Sequence, residues 1–294
     1  MAWKLPLVKL VLHDMGDEFH LCQPEKLLAG VPSCASCCGI YNFHGHDREM
    51  ITRNLEMQTD MMSKWDGTDN GIEAIRAKVE ADRPPPRFSV IYNCPFAGFL
   101  DNEHTRVGCL LHPLLLGEDK RDHCRYGHRT CGEAKCTSYT YLDDGEGRAV
   151  MAAAPDWYIY GLSITDIDLV KDFFDLCEFA LYGPVDASRV AKEPELARIF
   201  GEYLSFKENW PFATDPGRFG KYYFVEKNYY LYSINYREIG LGAPRHNGIM
   251  LSLASVIESK EDLEAALKIV NDKVEEFLEV YNRCSPKKSS AAGG

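Results

Sequence analysis

Hydrophobic and polar positions in the second half of the chain repeat with the period of an α-helix. The first such segment has apolar residues at steps of three and four, and they are Ile167, Val170, Phe174, Cys177 and Leu181. That spacing places them on one face of a helix. Thr165 with Asp168 resembles a capping box before this face, and Gly183-Pro184 is a typical stop after it. The pattern predicts a helix between these signals, with Cys177 as a buried core thiol rather than a ligand.

Two more segments of the second half have the same period. One extends from Pro194 to about Lys207. The other follows Ser259, which has Asp262 three residues further on, as expected at the start of a helix. Its apolar stripe consists of Leu263, Leu267, Val270, Val274, Phe277 and Tyr281. Both segments are predicted to be amphipathic helices.

Tyrosines alternate with other residues between these helices, over Lys221–Tyr236. Glu226-Lys227-Asn228 is a suitable turn, so the segment predicts a β-hairpin. An aromatic strand of this kind can stack nucleic-acid bases. However, the chain has 33 Lys and Arg against 44 Asp and Glu, a formal net charge of −11, and no basic run adjoins the hairpin. We therefore expect a half-buried structural hairpin, no nucleic-acid or membrane binding, and an unknown protein or small molecule as partner.

The first half of the chain has weaker periodicity and most of the cysteines. Asp47 is placed to cap a helix over Arg48–Met62, and Phe88–Tyr92 is typical of a short strand. Of the 11 cysteines, nine precede residue 137. The acidic run Asp143–Gly147 predicts a turn-rich break. We predict an α+β, mostly helical fold: a Cys-rich, irregular, metal-bound module over 1–148, a mainly helical domain over 149–284, and a disordered tail over 285–294.

A leader peptide and a membrane segment are not expected from the sequence. Pro6 and Lys9 interrupt the apolar start, and no small-residue cleavage site follows. No stretch approaches the roughly 18 uninterrupted apolar residues of a membrane helix. We therefore expect a cytoplasmic protein with reduced thiols, where clustered cysteines are more often metal ligands or catalysts than disulfides.

The cysteines of the first half occur in motifs typical of metal sites. Cys34-Ala-Ser-Cys37-Cys38 is a C-x2-C-C cluster, and two thiolates at its first spacing can face one ion. The further motifs are Cys94-Pro95-Phe96, Gly108-Cys109-Leu110-Leu111-His112-Pro113, and the C-x3-H-x2-C-x4-C run of Cys124, His128, Cys131 and Cys136. The number of thiols is enough for one tetrahedral ion, two ions, or an ion and a cluster.

The alternative to a metal is a set of unrelated buried thiols. Buried structural cysteines prefer apolar surroundings, which we do not expect for these turn-like segments. Clustered thiolates without a metal would also repel each other unless nearby basic residues offset their charge. The basic residues close in sequence are Arg106, Lys120, Arg121, Arg125, Arg129 and Lys135. The ligand count favours a metal.

In their order, these motifs resemble the bacterial cysteine-cluster family described as zinc- or iron-chelating proteins, of the YkgJ type. The resemblance covers Val31–Cys136 and implies metal binding but no particular reaction. It implies the ligands Cys34, Cys37, Cys38, Cys94, Cys109, Cys131 and Cys136. Before the last pair, Leu114–Thr130 adds His123, Cys124 and His128 as further candidates. Some flagellin lysine methylases look similar around their cysteine clusters, which makes methyl transfer an alternative.

We expect zinc in a structural or regulatory role, with an iron–sulfur redox or methyl-transfer protein on the same cysteines as the alternative. The cysteines can fill every coordination position, so neither bound water nor hydrolysis is expected at this ion. His112 is either a further ligand or a hydrogen-bond donor to a thiolate or carbonyl. A zinc hydrolase using His44 and His46 is the second alternative, although Asp47 fits a helix cap better. The sequence has no P-loop, dinucleotide-binding or serine-hydrolase motif.

Overall fold

A computed structural model describes residues 20–23, 32–44, 47–213 and 220–284, and most of these residues are helical. The helices are α1 (Arg48–Ser63), α2 (Asp69–Asp82), α3 (Pro113–Leu116), α4 (Gly127–Glu133), α5 (Ser138–Tyr141), α6 (Asp144–Ala153), α7 (Trp157–Ile164), α8 (Ile167–Leu181), α9 (Pro194–Leu204), α10 (Phe206–Asn209), α11 (Asn247–Ser252) and α12 (Lys260–Arg283). Short 3-10 helices cover Ser36–Cys38, Arg121–His123 and Ala187–Ala191. The strands are β1 (Ala97–Phe99), β2 (Val107–Cys109), β3 (Tyr222–Val225) and β4 (Asn228–Leu231). They form two separate antiparallel hairpins, β1–β2 and β3–β4, so the predicted mostly helical α+β character is confirmed.

The larger apolar cluster is formed mainly by the helices of the second half. Helix α9 packs against both α6 and α12, and α8 contacts α11 and α12. Phe173 of α8 lies at the centre, with its ring centroid 4.5 Å from that of Tyr203 and 5.2 Å from that of Phe277. A Cβ atom at Gly201 would lie 2.3 Å from the carbonyl oxygen of Ala153, so only glycine permits α9 to approach α6 this closely.

A smaller apolar cluster lies in the first half and includes two of the cysteines. It is formed by Met62, Ile72, Cys94, Phe96, Leu110, Leu111 and Cys124. These residues come from α1, α2, the segments just before β1 and just after β2, and the end of the Arg121–His123 turn. The smaller cluster therefore joins the elements that carry the predicted ligands.

Helix α6 crosses the predicted boundary between residues 148 and 149. Asp143 accepts a hydrogen bond from the backbone of Glu146, whose side chain accepts one from the backbone of Asp143. The acidic run predicted as a turn-rich break is therefore a capping box that starts a helix. The larger cluster also contains Ile51 and Phe99 from the first half. The division into modules stays a prediction, and the predicted tail over 285–294 lies outside the described residues.

The helices predicted from apolar periodicity are present, with two differences at their ends. The N-cap of α8 is Asp166 rather than Thr165, because the Thr165 hydroxyl donates to the carbonyl of Gly161 in the preceding helix. Helix α9 ends at Leu204, where the hydroxyl of Ser205 donates to the carbonyl of Gly201. Cys177 is fully buried, as predicted. The predicted caps Asp47 and Ser259 accept hydrogen bonds from the N–H groups of Met50 and Asp262 at 2.8 and 3.0 Å.

The strand predicted over Phe88–Tyr92 is wrong, because this segment is a turn held by a side chain. The buried amide of Asn42 donates to the carbonyls of Phe88 and Ile91, and its oxygen accepts from the N–H of Phe88. The N–H of Ile91 donates to the carbonyl of Phe88. These bonds take the backbone groups that a ladder would need.

The aromatic hairpin is present, with Tyr222 opposite Leu231 and Glu226-Lys227 at the turn. It is more exposed than predicted, since all four residues of β4 are exposed and only Tyr223 and Phe224 of β3 are half-buried. The ring of Phe224 lies 5.0 Å from that of Phe88. Within the described residues, no helix combines the length and apolar character needed to span a bilayer.

Candidate metal centre

The β1–β2 hairpin brings Cys94 near Cys109. Ala97 of β1 pairs with Cys109 of β2, and Cys94 lies three residues before Ala97. The N–H of Cys94 donates to the carbonyl of Cys38 at 2.8 Å, which ties the C-x2-C-C segment to the start of the hairpin. Three of the predicted ligands therefore converge although up to 71 residues separate them in the sequence.

Gly39 makes the approach of Cys38 to Cys94 possible. It follows the Ser36–Cys38 turn with φ of 75°, in the left-handed region that favours glycine. A Cβ atom on Gly39 would lie 2.3 Å from the carbonyl oxygen of Tyr92, two residues before Cys94. Glycine at this position is thus required both by backbone conformation and by space.

Cys124 lies at the centre of the sulfur contacts. Its Sγ atom is 3.7 Å from that of Cys94 and 3.9 Å from that of Cys131. On its other side, Cys94 contacts the thiol of Cys38. Among the described residues, no three cysteine sulfurs lie with every pair within 4.8 Å, so these contacts form an open chain rather than a closed tetrahedron.

The surroundings of Cys94 and Cys124 are apolar, contrary to the sequence expectation. Each residue is 6% exposed and belongs to the smaller apolar cluster, together with Phe96 and Leu111. Residues just before β1 and just after β2 pack with Met62 of α1 and Ile72 of α2, and this packing creates the apolar environment, which the turn-like flanking sequence does not reveal. Their burial is therefore that of ordinary structural cysteines, and their sulfur–sulfur contacts are what distinguishes them.

Cys94 is the thiol best placed to be a thiolate. Hydrogen bonds from Cys124 and Cys38 hold the pKa of Cys94 well below its ordinary value in spite of burial. Cys38 donates hydrogen bonds, above all to Cys37, and this raises the pKa of Cys38. Accepting that bond lowers the pKa of Cys37 to about 7. Burial raises the pKa of Cys109 to about 12, and the nearby Arg121 guanidinium opposes this increase. One thiolate stabilised by neighbouring thiols is the arrangement expected where a cation would replace the donated protons.

Cys34 and Cys136 belong to a second group, which also includes Cys22. The N–H of Cys34 donates to the carbonyl of Cys22, and the hydroxyl of Tyr139 lies 3.6 Å from the Cys22 sulfur. Burial raises the pKa of Cys34 to about 12 and that of Cys22 to about 11, and the charges of Cys37 and Cys136 add to the effect on Cys22. From the sequence, Cys22 is expected to be a loop residue beside the ligands rather than one of them, because it lies outside any motif.

The three histidines beside the later cysteine motifs, His112, His123 and His128, have partners other than the cysteines. The Nδ1 atom of His112 accepts from the N–H of Leu114 at the start of α3, so Nε2 is the nitrogen that remains for a metal. Burial and the charge of Arg121 lower the pKa of His112. His123 contacts Glu73 at 2.8 Å, and His128 contacts Asp122 at 2.6 Å.

The basic residues near the cysteines are mostly paired elsewhere. Lys120 binds Asp69, Arg121 binds Asp119, and Arg129 binds Glu133. Arg125 and Lys135 lie over the rings of Tyr92 and Tyr139, while Arg106 is buried beside Gln23. The charge of Arg121 acts to lower the pKa of both Cys109 and Cys131.

The residues of the alternative hydrolase site are not assembled into one by the described part of the chain. His44 is exposed, and Asp47 is engaged as the cap of α1. His46 lies outside the described residues. The hydrolase function stays a prediction without a structural observation in its favour.

Comparisons of this chain with family models, with curated proteins and with solved structures found no match.

Proposed function

We propose that this chain is a metal-binding protein in which clustered thiolates hold zinc in a structural or regulatory role. The observation that carries the proposal is the spacing of the sulfurs at Cys124, which are 3.7 Å from Cys94 and 3.9 Å from Cys131. In a tetrahedral site with Zn–S bonds of about 2.3 Å, the sulfurs lie about 3.8 Å apart. Both separations match the edge length of such a tetrahedron, which supports the proposal.

The donor set also fits zinc in number and kind. Cys38, Cys94 and Cys124 are linked by sulfur contacts, and both Cys109 and Cys131 lie close enough to respond to the charge of Cys94. Four thiolates satisfy one zinc ion. Cys131 is the exposed member of this set, so its side chain is the one least restrained by packing.

A structural role agrees with the elements that the ion would join. Cys38 ends a one-turn helix, Cys94 precedes and Cys109 ends a strand of three residues, and Cys124 follows another single turn. Short elements of this kind bury little surface by themselves, and structural zinc supplies the missing folding free energy in many small modules.

Metal analysis after anaerobic purification tests this proposal. Wild-type protein should contain about one or two zinc ions per chain and remain colourless. Cys94→Ser and Cys124→Ser should each lower the zinc content, because a neutral hydroxyl replaces a thiolate poorly at a soft site. Cys284→Ser, at the end of α12, is the matched control and should leave the content unchanged. Equal zinc content in all four proteins would contradict the proposal.

An iron–sulfur redox or methyl-transfer protein is the second candidate, favoured by the surplus of thiols. Cys22, Cys34 and Cys136 form their own group beside the chain of contacts through Cys94. In a cluster the cysteines bind different irons, so its ligands need not be in contact. A brown anaerobic preparation that contains iron would favour this candidate over the zinc protein.

We further propose that the protein acts where thiols stay reduced, as in the cytoplasm, with a protein or small molecule as its partner. The eleven cysteines are free of disulfides. The surplus of acidic residues does not suit a nucleic-acid or anionic-membrane partner.

A further inference from the structure

A different group of metal-type side chains lies between α8 and the start of α11. Asp172 and Asp175 are three residues apart on α8 and therefore share a face of that helix. His246 immediately precedes α11. One ligand atom from each of the three lies within 4.8 Å of the other two, so these side chains form a compact triad.

His246 lies within ion-pair distance of Asp172 when its imidazole is protonated, and the separation is close to that of two ligands of one ion. Nδ1 of His246 lies 3.6 Å from Oδ1 of Asp172, beyond the reach of a direct hydrogen bond. Two donor atoms each about 2.1 Å from an ion lie about 3.0–3.5 Å apart at bond angles of 90–110°. A movement of a few tenths of an ångström would place both on one ion.

Asp172 and His246 are both largely buried beside the start of α11. The side chain of Asp172 is 21% exposed and that of His246 is 11% exposed. Gly248 in α11 allows the close approach, because a Cβ atom there would lie 2.5 Å from Oδ2 of Asp172.

Arg245 competes with an ion for the histidine. Its Nε–H group donates to Nε2 of His246 at 3.2 Å. If Nε2 becomes the ligand, the metal bond replaces this hydrogen bond. If Nδ1 becomes the ligand, the ring proton moves to Nε2, and Nε2 can no longer accept a hydrogen bond from Arg245. In both cases, ion binding and the Arg245–His246 hydrogen bond exclude each other.

The triad borders an open cleft. The cleft has a volume of about 410 Å³ and is lined by Asp175, Glu178, Phe179, Gly183 and Arg245. An ion held by Asp172, Asp175 and His246 would have three protein ligands and further positions facing this space, the arrangement typical of reactive rather than structural metal sites.

We propose that Asp172, Asp175 and His246 bind a divalent cation that prefers oxygen and nitrogen ligands, with open coordination positions toward the cleft. This site is independent of the cysteines. Mn²⁺ is the suitable probe, because carboxylates and imidazole bind it and thiolates select softer metals.

The test is a titration of the full chain with Mn²⁺, followed by the electron paramagnetic resonance signal of the free ion. Asp175→Asn, at an exposed position, should weaken binding at least tenfold. Asp272→Asn, an exposed carboxylate on α12 that pairs with Lys268, is the matched control and should not change it. Arg245→Met should tighten binding, because it removes the competing donor and its positive charge.

A Cys94→Ser, Cys124→Ser double variant separates this proposal from the thiolate site. It should bind Mn²⁺ as the wild type does, whatever its zinc content. The proposal is overturned if wild-type protein binds no Mn²⁺ at about 1 mM, if Asp175→Asn and Asp272→Asn bind equally, or if only the cysteine variant loses the ion.

Discussion

Asp166 shows most clearly how a single residue combines several roles in the second half. Its carboxylate caps α8, lies 2.5 Å from Nζ of Lys207, and accepts from the hydroxyl of Ser252 at 2.8 Å. Lys221 is 3.7 Å away. Burial opposes the charged form, but the two lysines outweigh it and hold the pKa of Asp166 below its ordinary value.

Asp166→Asn should therefore destabilise the protein in a pH-dependent way. The depressed pKa means that this contribution is present above the unfolded-state pKa of about 3.9 and is lost as the pH falls through the lower folded value. At pH 7 the variant leaves Lys207 buried without its counter-charge, at a cost of about 3–5 kcal/mol. Urea unfolding at pH 7 and below pH 4 measures both effects.

The difference in unfolding free energy between wild type and Asp166→Asn should shrink at the acidic pH. A difference that is the same at both pH values would contradict this account. Asp168→Asn is the control, since Asp168 is about half exposed and its ion pair within the described residues is with Lys221, so its loss should cost less than about 1 kcal/mol.

Candidate ligands could be named from the sequence, but the contacts between them could not. Cys94 and Cys124 are 30 residues apart, and their 3.7 Å contact depends on how β1–β2 and the Arg121–His123 turn pack. The Asp172–His246 pair has no motif at all, since 74 residues separate its members. Sequence patterns report local periodicity and short spacings, whereas these pairs arise from tertiary packing.

At the scale of elements, the long helices follow directly from their apolar stripes. Helices α8, α9 and α12 each bury one face in the larger cluster, and that face repeats every three or four residues in the sequence. The short elements are different, because side chains outside them decide their form. Asn42 turns the 88–91 segment away from a strand, and the Asp143–Glu146 capping box converts an acidic run into the start of α6.

Gly39→Ala should reduce bound zinc although it changes no ligand. The added Cβ atom would meet the carbonyl oxygen of Tyr92 at 2.3 Å and would disfavour φ of 75°, so the turn that carries Cys38 must shift away from Cys94. Left-handed backbone costs an alanine roughly 1–2 kcal/mol before the clash is counted. Zinc per chain, together with the urea midpoint, measures the effect.

Gly117→Ala is the matched control for this prediction. Gly117 also has a positive φ, 78°, but a Cβ atom there has no heavy atom within 4 Å. It should therefore lose a similar amount of stability through the backbone and keep its zinc. Equal zinc loss in both variants would attribute the effect to general destabilisation rather than to the turn at Cys38.

At the scale of the whole molecule, the two apolar clusters predict how the protein responds to loss of metal. The larger cluster includes Ile51 and Leu55 of α1 as well as the helices of the second half. The smaller cluster surrounds Cys94 and Cys124. Removal of a structural ion, which can contribute on the order of 10 kcal/mol, should therefore open the smaller cluster first.

Chelation followed by limited proteolysis should cut mainly between α2 and α5, and should spare α1, α7–α9 and α12. Mass spectrometry of the fragments identifies the cuts, and addition of zinc before the protease should suppress them. Rapid cleavage within α8 or α12 after chelation would show that the two clusters unfold together, and unchanged resistance would show that no ion supports the first half.

X-ray absorption at the zinc edge of anaerobically purified protein tests the central claim most directly. A thiolate site predicts a first shell dominated by sulfur at about 2.3 Å, without a water oxygen, and a nitrogen contribution only if Nε2 of His112 joins the shell. A first shell of oxygen and nitrogen without sulfur would contradict thiolate binding by the cysteines around Cys94.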